Sequence, residues 1–258
     1  RSLPRPVAPV RRLNTTAPRA VPAVNAPGHH HRLDPDCDLP RWLYLGLPPA
    51  LVIVLFTVRA LDPVLYRRVF DGELGLVELA TPLLAFVASG FGVALLRRVQ
   101  APAGWLRAWL FAFTLGAFYF GGEELSWGQH VAGWATPGYL ERINDQQETN
   151  LHNVSSWFDQ KPRLLLELWV LIGGILAPLA GWNRARHRAD WRPWFWPGRA
   201  CLLTAILCIA IRVPERLKGL LDLETLPLEI RYSEPQEFYF ALFMLLYLAS
   251  LWRRSQPP

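Results

Sequence analysis

The sequence predicts an all-α polytopic membrane protein: a bundle of about six transmembrane helices, with an amphipathic interfacial helix between the third and the fourth. Of the 258 residues, 52% are hydrophobic and only 19% are charged, whereas soluble domains have about 25% charged residues. The apolar residues occur in runs of about 20, the length of helix that crosses a bilayer. This composition excludes a disordered chain, and it disfavours a nucleic-acid-binding protein despite the net charge of +6.

Apolar segments predict where the spans lie. Backbone polar groups cannot stay unpaired in lipid, so an apolar run of this length forms a helix. Tryptophans at several segment ends, such as Trp42, Trp105 and Trp182, are typical of the membrane–water interface. The predicted spans are residues 42–60, 74–96, 105–120, 164–182, 196–213 and 238–252.

The distribution of basic residues predicts the orientation. Lys and Arg are more frequent on the cytoplasmic side of membrane proteins. With the N-terminus inside, most of them fall in cytoplasmic segments, including the Arg-rich stretch 184–199. We therefore expect both termini in the cytoplasm. Residues 1–40, rich in Pro and Arg, predict a disordered cytoplasmic tail, and residues 41–254 predict the six-helix transmembrane domain, with an outer polar segment at 121–163.

Glycines within two predicted spans indicate where helices approach each other closely. Gly90 and Gly92 lie in the second span, and Gly173 and Gly174 lie in the fourth. Because a glycine has no side chain, the backbone of a neighbouring helix can come near it. We expect both pairs at helix–helix contacts.

Charged residues lie at the outer end of several predicted spans. A charge at membrane depth is costly and usually faces the bundle interior or a cavity. Under the predicted orientation, these residues share one level: Glu78, Glu123, Glu124, Glu167, Arg212, Glu234 and Glu237. Two interpretations stay open. One is a polar pocket that opens to the outer leaflet; the other is ordinary polar span ends, with a structural ion pair between Arg212 and Glu78 or Glu167.

The segment 121–130 follows the third predicted span and combines glycines with reactive side chains. If this segment is helical, Glu123, Ser126 and His130 lie on one face, at positions i, i+3 and i+7. A carboxylate, a hydroxyl and an imidazole in one line are the ingredients of a nucleophile–base pair. An amphipathic turn at the surface would have the same spacing.

A second polar segment begins at Thr136, which is followed by Pro137, as is typical of a helix start. The apolar spacing after it predicts an amphipathic helix of about 20 residues, lying flat at the outer interface. Asn144, Glu148 and His152 step by four along this helix. Glu148 and His152, one turn apart, could hold a metal, act as an acid–base pair, or form a structural hydrogen-bond network, and the sequence leaves these alternatives open.

Amide side chains are concentrated in the same helix. Amides both donate and accept hydrogen bonds, which suits the polar head group of a lipid or a sugar, and equally suits contact with water. They are Asn144, Gln146, Gln147, Asn150 and Asn153.

Two motifs, residues 122–129 (GEELSWGQ) and residues 148–153 (ETNLHN), resemble a family of uncharacterised bacterial multi-pass membrane proteins. The acidic stretch 234–237 before the last predicted span fits the same pattern. The resemblance implies an integral protein of the bacterial inner membrane and marks the two motifs as functional positions. It implies no substrate, reaction or cofactor.

Three functional hypotheses follow, all with the lipid bilayer as partner: an enzyme, a non-catalytic scaffold or assembly factor, and a small transporter. The enzyme would be a hydrolase or transferase acting on a lipid or lipid-linked head group at the outer leaflet. Its candidate catalytic residues are Glu123, Glu124, Ser126, His130, Glu148 and His152. Its candidate substrate-binding residues are Trp127, Gln129, Asn144, Gln147, Asn150, Asn153, Arg212, Glu234 and Glu237. The candidate ligands of a divalent metal are His130, Glu148 and His152.

Overall fold

The computed structural model describes residues 39–71, 75–98, 104–143, 149–150, 156–186, 190–226, 228 and 230–256. Within these ranges it describes only the backbone of His130, Val131, Leu140, Glu141, Ile143, Ser156, Phe158 and Asp159. The chain divides into two units, Arg1–His30 and His31–Pro258. The first unit and residues 1–38 of the predicted tail lie outside the described residues.

The described part of the chain is helical and contains no strand, which confirms the all-α prediction. A π-helical turn at Trp42–Gly46 leads into the first helix. The helices of the first half are α1 (Leu47–Leu61), α2 (Pro63–Val69), α3 (Leu76–Arg98), α4 (Gly104–Glu124), α5 (Gln129–Ala132) and α6 (Gly138–Ile143). Asp62 separates α1 from α2, because its carboxylate accepts hydrogen bonds from the N–H groups of Val64 and Leu65 at 3.1 and 2.9 Å and so caps α2.

The second half contains a further set of helices joined by irregular turns. A π-helical turn at Val170–Leu176 joins α7 to α8, and a 3₁₀ turn at Arg199–Cys201 precedes α10. The helices are α7 (Ser156–Trp169), α8 (Ala177–Ala180), α9 (Arg192–Phe195), α10 (Leu202–Ala210), α11 (Val213–Leu221) and α12 (Ser233–Arg254).

Four helical runs in the described residues are long and apolar enough to cross a membrane. They are Trp42–Leu61, Leu76–Arg98, Gln160–Ala180 and Arg192–Leu221, and they correspond to the first, second, fourth and fifth predicted spans. The remaining two predicted spans are covered by α4 and α12, helices of 21 and 22 residues. The polar residues at the ends of α12 and the tryptophans and glycines of α4 lower their mean hydropathy. The described residues thus contain four candidate spans, and the count of six stays a prediction.

Helix α12 is the centre of the bundle. Every residue from Phe238 to Leu251 is buried, and the helix packs against α3, α10 and, less extensively, α4. A helix that is apolar and buried on all sides is a core helix. The last helix of the chain therefore organises the helices that precede it.

Glycines let these helices approach closely, although the two glycines of α3 are not equivalent. A Cβ atom added to Gly92 would lie 2.9 Å from the Cβ of Thr114 in α4, whereas one added to Gly90 would meet nothing within 4 Å. In the π-helical turn, a Cβ added to Gly174 would lie 2.6 Å from the Cβ of Ala205 in α10 and 2.6 Å from a ring carbon of Phe243 in α12. The expected close contacts are therefore present at Gly92 and Gly174.

The polar region between α4 and α7 differs from the predicted amphipathic helix. Helix α6 ends at Ile143, and Thr149 and Asn150 lie outside any helix. A single helix of about 20 residues from Gly138 onward is therefore not formed, and the prediction is wrong in this respect. Helical periodicity in a sequence does not show where the chain leaves the helical conformation to form tertiary hydrogen bonds.

We expect Gly92→Ala to destabilise the protein by about 1–3 kcal/mol, because the added methyl group overpacks the contact with Thr114. The matched control is Gly90→Ala, which should leave stability unchanged or raise it slightly, since alanine favours a helix over glycine. The measurement is thermal unfolding of the detergent-purified variants. Equal melting temperatures for the two variants would contradict the close packing of α3 on α4.

Candidate functional site

Ionisable side chains from several helices meet at one end of the bundle. Helices α3, α7 and α12 begin at this end, and α4 ends there, because successive long helices run in opposite directions. We call Glu78, Glu124, Arg163, Gln236 and Glu237 the acid–arginine cluster. Its members come from four helices, and three of them, Glu78, Glu124 and Glu237, belong to the set that was expected at one level.

Arg163 of α7 contacts two other members of the cluster. Its Nη2 lies 2.8 Å from Oε1 of Glu237 and also approaches Oε1 of Gln236 at 3.3 Å. The buried amide of Gln236 in turn donates to the carbonyl oxygen of Cys208 in α10, at 3.4 Å. One guanidinium thus links α7 to α12, and through Gln236 to α10.

Glu124 and Glu237 form a carboxyl–carboxyl pair. The two side chains share a hydrogen bond, and the carboxyl group of Glu78 lies near enough to repel Glu124 electrostatically. A hydrogen bond between two carboxyl groups requires one proton, because two carboxylates have only acceptors. Arg163, which is the cationic partner of Glu237, lies beside this pair.

Glu123 occupies a different environment from its neighbour Glu124. Its Oε1 accepts a hydrogen bond from Nε1 of Trp127 at 2.7 Å, and the hydroxyl group of Tyr119 donates a second one. Adjacent residues of a helix point about 100° apart, so the two glutamates face different partners. Glu123 holds the turn after α4, whereas Glu124 belongs to the acid–arginine cluster.

The turn after α4 is built from residues in the left-handed region. Ser126 and Trp127 have φ angles of 45° and 54°, and Gly128 has a φ of 92°. The helix does not continue through these residues, so the predicted face of Glu123, Ser126 and His130 at i, i+3 and i+7 is wrong. The ring of Trp127 folds back on Gly122, where a Cβ atom would lie 2.8 Å from the ring.

The two sequence motifs contact each other. The amide of Asn150 donates to Oγ of the buried Ser126 at 3.1 Å. The backbone N–H of Thr149 donates to Oε1 of Gln129 at 2.6 Å, and Nε1 of Trp134 donates to Oγ1 of Thr149 at 3.2 Å. The side chains of Gln129 and Asn150, predicted as substrate-binding, therefore hold the two motifs together.

The arginines after α10 pair differently from the expected structural ion pair. Arg212 lies 3.2 Å from Glu215, three residues along the chain, and Arg216 forms the ion pair with Glu167. The expected pairing of Arg212 with Glu78 or Glu167 is therefore wrong. Arg212 ends one helix and α11 starts a new one, which brings Arg216, one turn later, to Glu167.

A second ionic group lies beside the cluster. Nη1 of Arg231 lies 3.1 Å from Oε1 of Glu234, and its Nε lies 3.7 Å from Oδ1 of Asp71. Burial raises the pKa of Tyr66 in α2 to about 12, and the carboxylates of Glu234 and Asp71 add to this effect. Tyr66 is therefore a neutral phenol at physiological pH, and Glu234 already has a cationic partner.

Several predicted site residues lie outside the described residues: Asn144, Gln147, Glu148, His152 and Asn153. The side chain of His130 is also outside them. Among the side chains that are described, His, Cys, Asp and Glu form no group that could hold a metal. The divalent-metal site at His130, Glu148 and His152 stays a prediction.

Arg163 and Gln236 were not predicted as site residues. The available signal for Arg163 was its spacing of four residues from Glu167, at the entry to a span. Gln236 lies within the acidic stretch 234–237, and its neutral amide gives no charge signal beside the two glutamates. No protein family, curated protein or solved structure matches this chain.

We expect Arg163→Gln to destabilise the protein by about 1–3 kcal/mol, because it leaves Glu237 without its cation in a partly buried setting. The matched control is Lys161→Gln, since Lys161 is an exposed residue two positions earlier in α7, and it should have little effect. Thermal unfolding in detergent measures both variants. If Arg163→Gln lowers the melting temperature no more than Lys161→Gln does, the guanidinium of Arg163 does not hold the helices together.

Proposed function

We propose that the protein is a membrane enzyme, a hydrolase or transferase that acts on a lipid or lipid-linked head group. The observation that carries this proposal is the hydrogen-bonded pair of Glu124 and Glu237 beside Arg163. Two carboxyl groups that share a proton supply an acid and a base in one place. Such a pair is costly at the end of apolar helices, and sites of this kind are commonly functional.

The pair has a simple role in hydrolysis or group transfer. The ionised carboxylate takes a proton from the attacking water or alcohol, and the protonated carboxyl group gives a proton to the leaving oxygen. The new bond forms to the attacking oxygen as the bond to the leaving oxygen breaks. The pair then holds one proton, as it did before the reaction. Arg163 keeps the pair from becoming doubly protonated by stabilising its negative charge.

The surroundings of the cluster fit the level of lipid head groups. Trp127 and Trp134, in the turns that follow α4, are exposed, as are Tyr139 in α6 and Trp157 in α7. Exposed tryptophan and tyrosine side chains prefer the membrane–water interface. We propose that this end of the bundle faces the outer leaflet, with six spans and both termini in the cytoplasm of a bacterial inner membrane.

The motif residues extend the proposal around the carboxyl pair. In this proposal His130, Glu148 and His152 either transfer protons or hold a divalent metal. Ser126 supplies a hydroxyl group near the reacting atoms. Gln129 and Asn150 position the motifs through the hydrogen bonds described above. The remaining candidate residues contact the head group in this proposal: Trp127, Asn144, Gln147, Asn153, Arg212 and Glu234.

The test is turnover by the purified chain in vesicles that contain phosphatidylethanolamine, phosphatidylglycerol and a polyprenyl diphosphate, each labelled in the head group. We expect Glu124→Gln and Glu237→Gln to lower the rate of head-group release at least about 100-fold, the usual contribution of a general acid or base. Both variants retain the shape of the side chain but cannot exchange the proton.

The matched control is Glu224→Gln, because Glu224 is exposed in the connection after α11; its turnover should equal that of the wild type. Wild-type rates in both cluster variants would refute the assigned chemistry. A wild-type protein that releases no label, and instead purifies with one stoichiometric partner, would favour the scaffold hypothesis. Liposome flux that depends on Glu78 or Glu167 would favour the transporter hypothesis.

A further inference from the structure

Arg212 is a largely buried cation whose ion-pair partner, unlike those of Arg163 and Arg216, lies only three positions along the chain. It stands between α10 and α11, inside the apolar helical run Arg192–Leu221. A guanidinium in such a run is costly and normally has a strong partner or a function. Its side chain is 21% exposed, so it is accessible from outside the bundle.

The partners of the neighbouring arginines come from other helices. Arg163 of α7 pairs with Glu237 of α12, and Arg216 of α11 pairs with Glu167 of α7. Among the described residues, the ion-pair partner of Arg212 is Glu215, three positions along the chain, and the side chain of Glu215 is 46% exposed. An ion pair between residues three apart on an exposed helix surface is weak, so an external anion can replace it.

Two further features make the position of Arg212 attractive to an anion. The guanidinium groups of Arg163 and Arg216 lie near that of Arg212, together with the carboxylates of Glu215 and Glu237, so an anion that replaces Glu215 keeps cations beside it. Nε of Arg212 is buried and has no hydrogen-bond partner in the part of the chain that the structure describes, and a buried donor without an acceptor is costly.

We propose that Arg212 binds a phosphate group, which names the substrate class of the proposed enzyme as a phosphate-bearing lipid or lipid-linked head group. The planar guanidinium matches two phosphate oxygens at once, and such charge-assisted pairs are strong. The phosphate takes the place of the Glu215 carboxylate and provides the acceptor that Nε lacks. The assignment of this phosphate to a substrate rests on the proposed function. The binding of phosphate to Arg212 can be measured without any turnover.

The experiment measures binding to the full detergent-purified chain by titration calorimetry. The probes are dihexanoyl phosphatidic acid, inorganic phosphate, and dihexanoylglycerol, which has the same acyl chains but no phosphate. We expect wild-type protein to bind phosphatidic acid and not dihexanoylglycerol. Arg212→Gln should weaken binding at least about tenfold, and Arg97→Gln should leave it unchanged, since Arg97 is exposed at the opposite end of α3.

Glu215→Gln is a second variant that tests the phosphate site, and it should strengthen binding where Arg212→Gln weakens it. It removes the competing carboxylate from an exposed position, so the phosphate probe should bind about two- to fivefold more tightly. This variant keeps the test decisive if Arg212→Gln fails to fold. Weaker or unchanged binding by Glu215→Gln, or full binding by folded Arg212→Gln, would overturn the proposal.

The remaining outcomes separate the two proposals and the two sources of phosphate. Equal affinity for inorganic phosphate would support the phosphate site and assign it to the free ion in place of a lipid. Arg212-dependent binding without any lipid turnover would support the phosphate site and refute the enzyme. Turnover that requires Glu124 and Glu237 but not Arg212 would support the enzyme and refute the phosphate site.

Discussion

The ion pair between Arg163 and Glu237 connects most of the structure at one end of the bundle. A charge near the membrane is tolerated only when its partners compensate it, so the helices that carry these groups must meet. Arg163 fixes α7 against α12, and Gln236 extends the connection to α10. Glu124 joins through its hydrogen bond to Glu237 and brings the end of α4 to the same place.

Close helix packing is what makes this convergence possible. Helix α12 can reach its partners because α3, α10 and the π-helical turn at Val170–Leu176 pack tightly around it. Gly174 lets α10 and α12 approach that turn, and Gly92 lets α4 approach α3. At the far end of α4, Tyr247 of α12 accepts a hydrogen bond from Trp109 at 3.1 Å and donates one to the carbonyl of Phe195 at 2.9 Å. Helix α12 is thus held by polar contacts at both of its ends.

The functional proposal depends on the contrast between two adjacent glutamates. Glu123 has two hydrogen-bond donors and holds a turn, whereas the carboxyl group of Glu124 lies against that of Glu237. Only the second arrangement offers an acid and a base together. Arg212, which pairs with the exposed carboxylate of Glu215, adds a cation near Glu237.

Composition and hydropathy determined by themselves that the chain is helical, where four apolar spans lie, and that charged residues gather at one end of them. These features are local, because helical spacing and the length of an apolar run depend only on residues that are close together in the sequence. The choice of partners could not be predicted, since Arg163 and Glu237 lie 74 positions apart in the sequence. Only tertiary packing decided that Arg216 pairs with Glu167, that α4 stops at a left-handed turn, and that α12 lies at the centre. Each of these depends on contacts between distant segments, which compete with local helical preference and outweigh it.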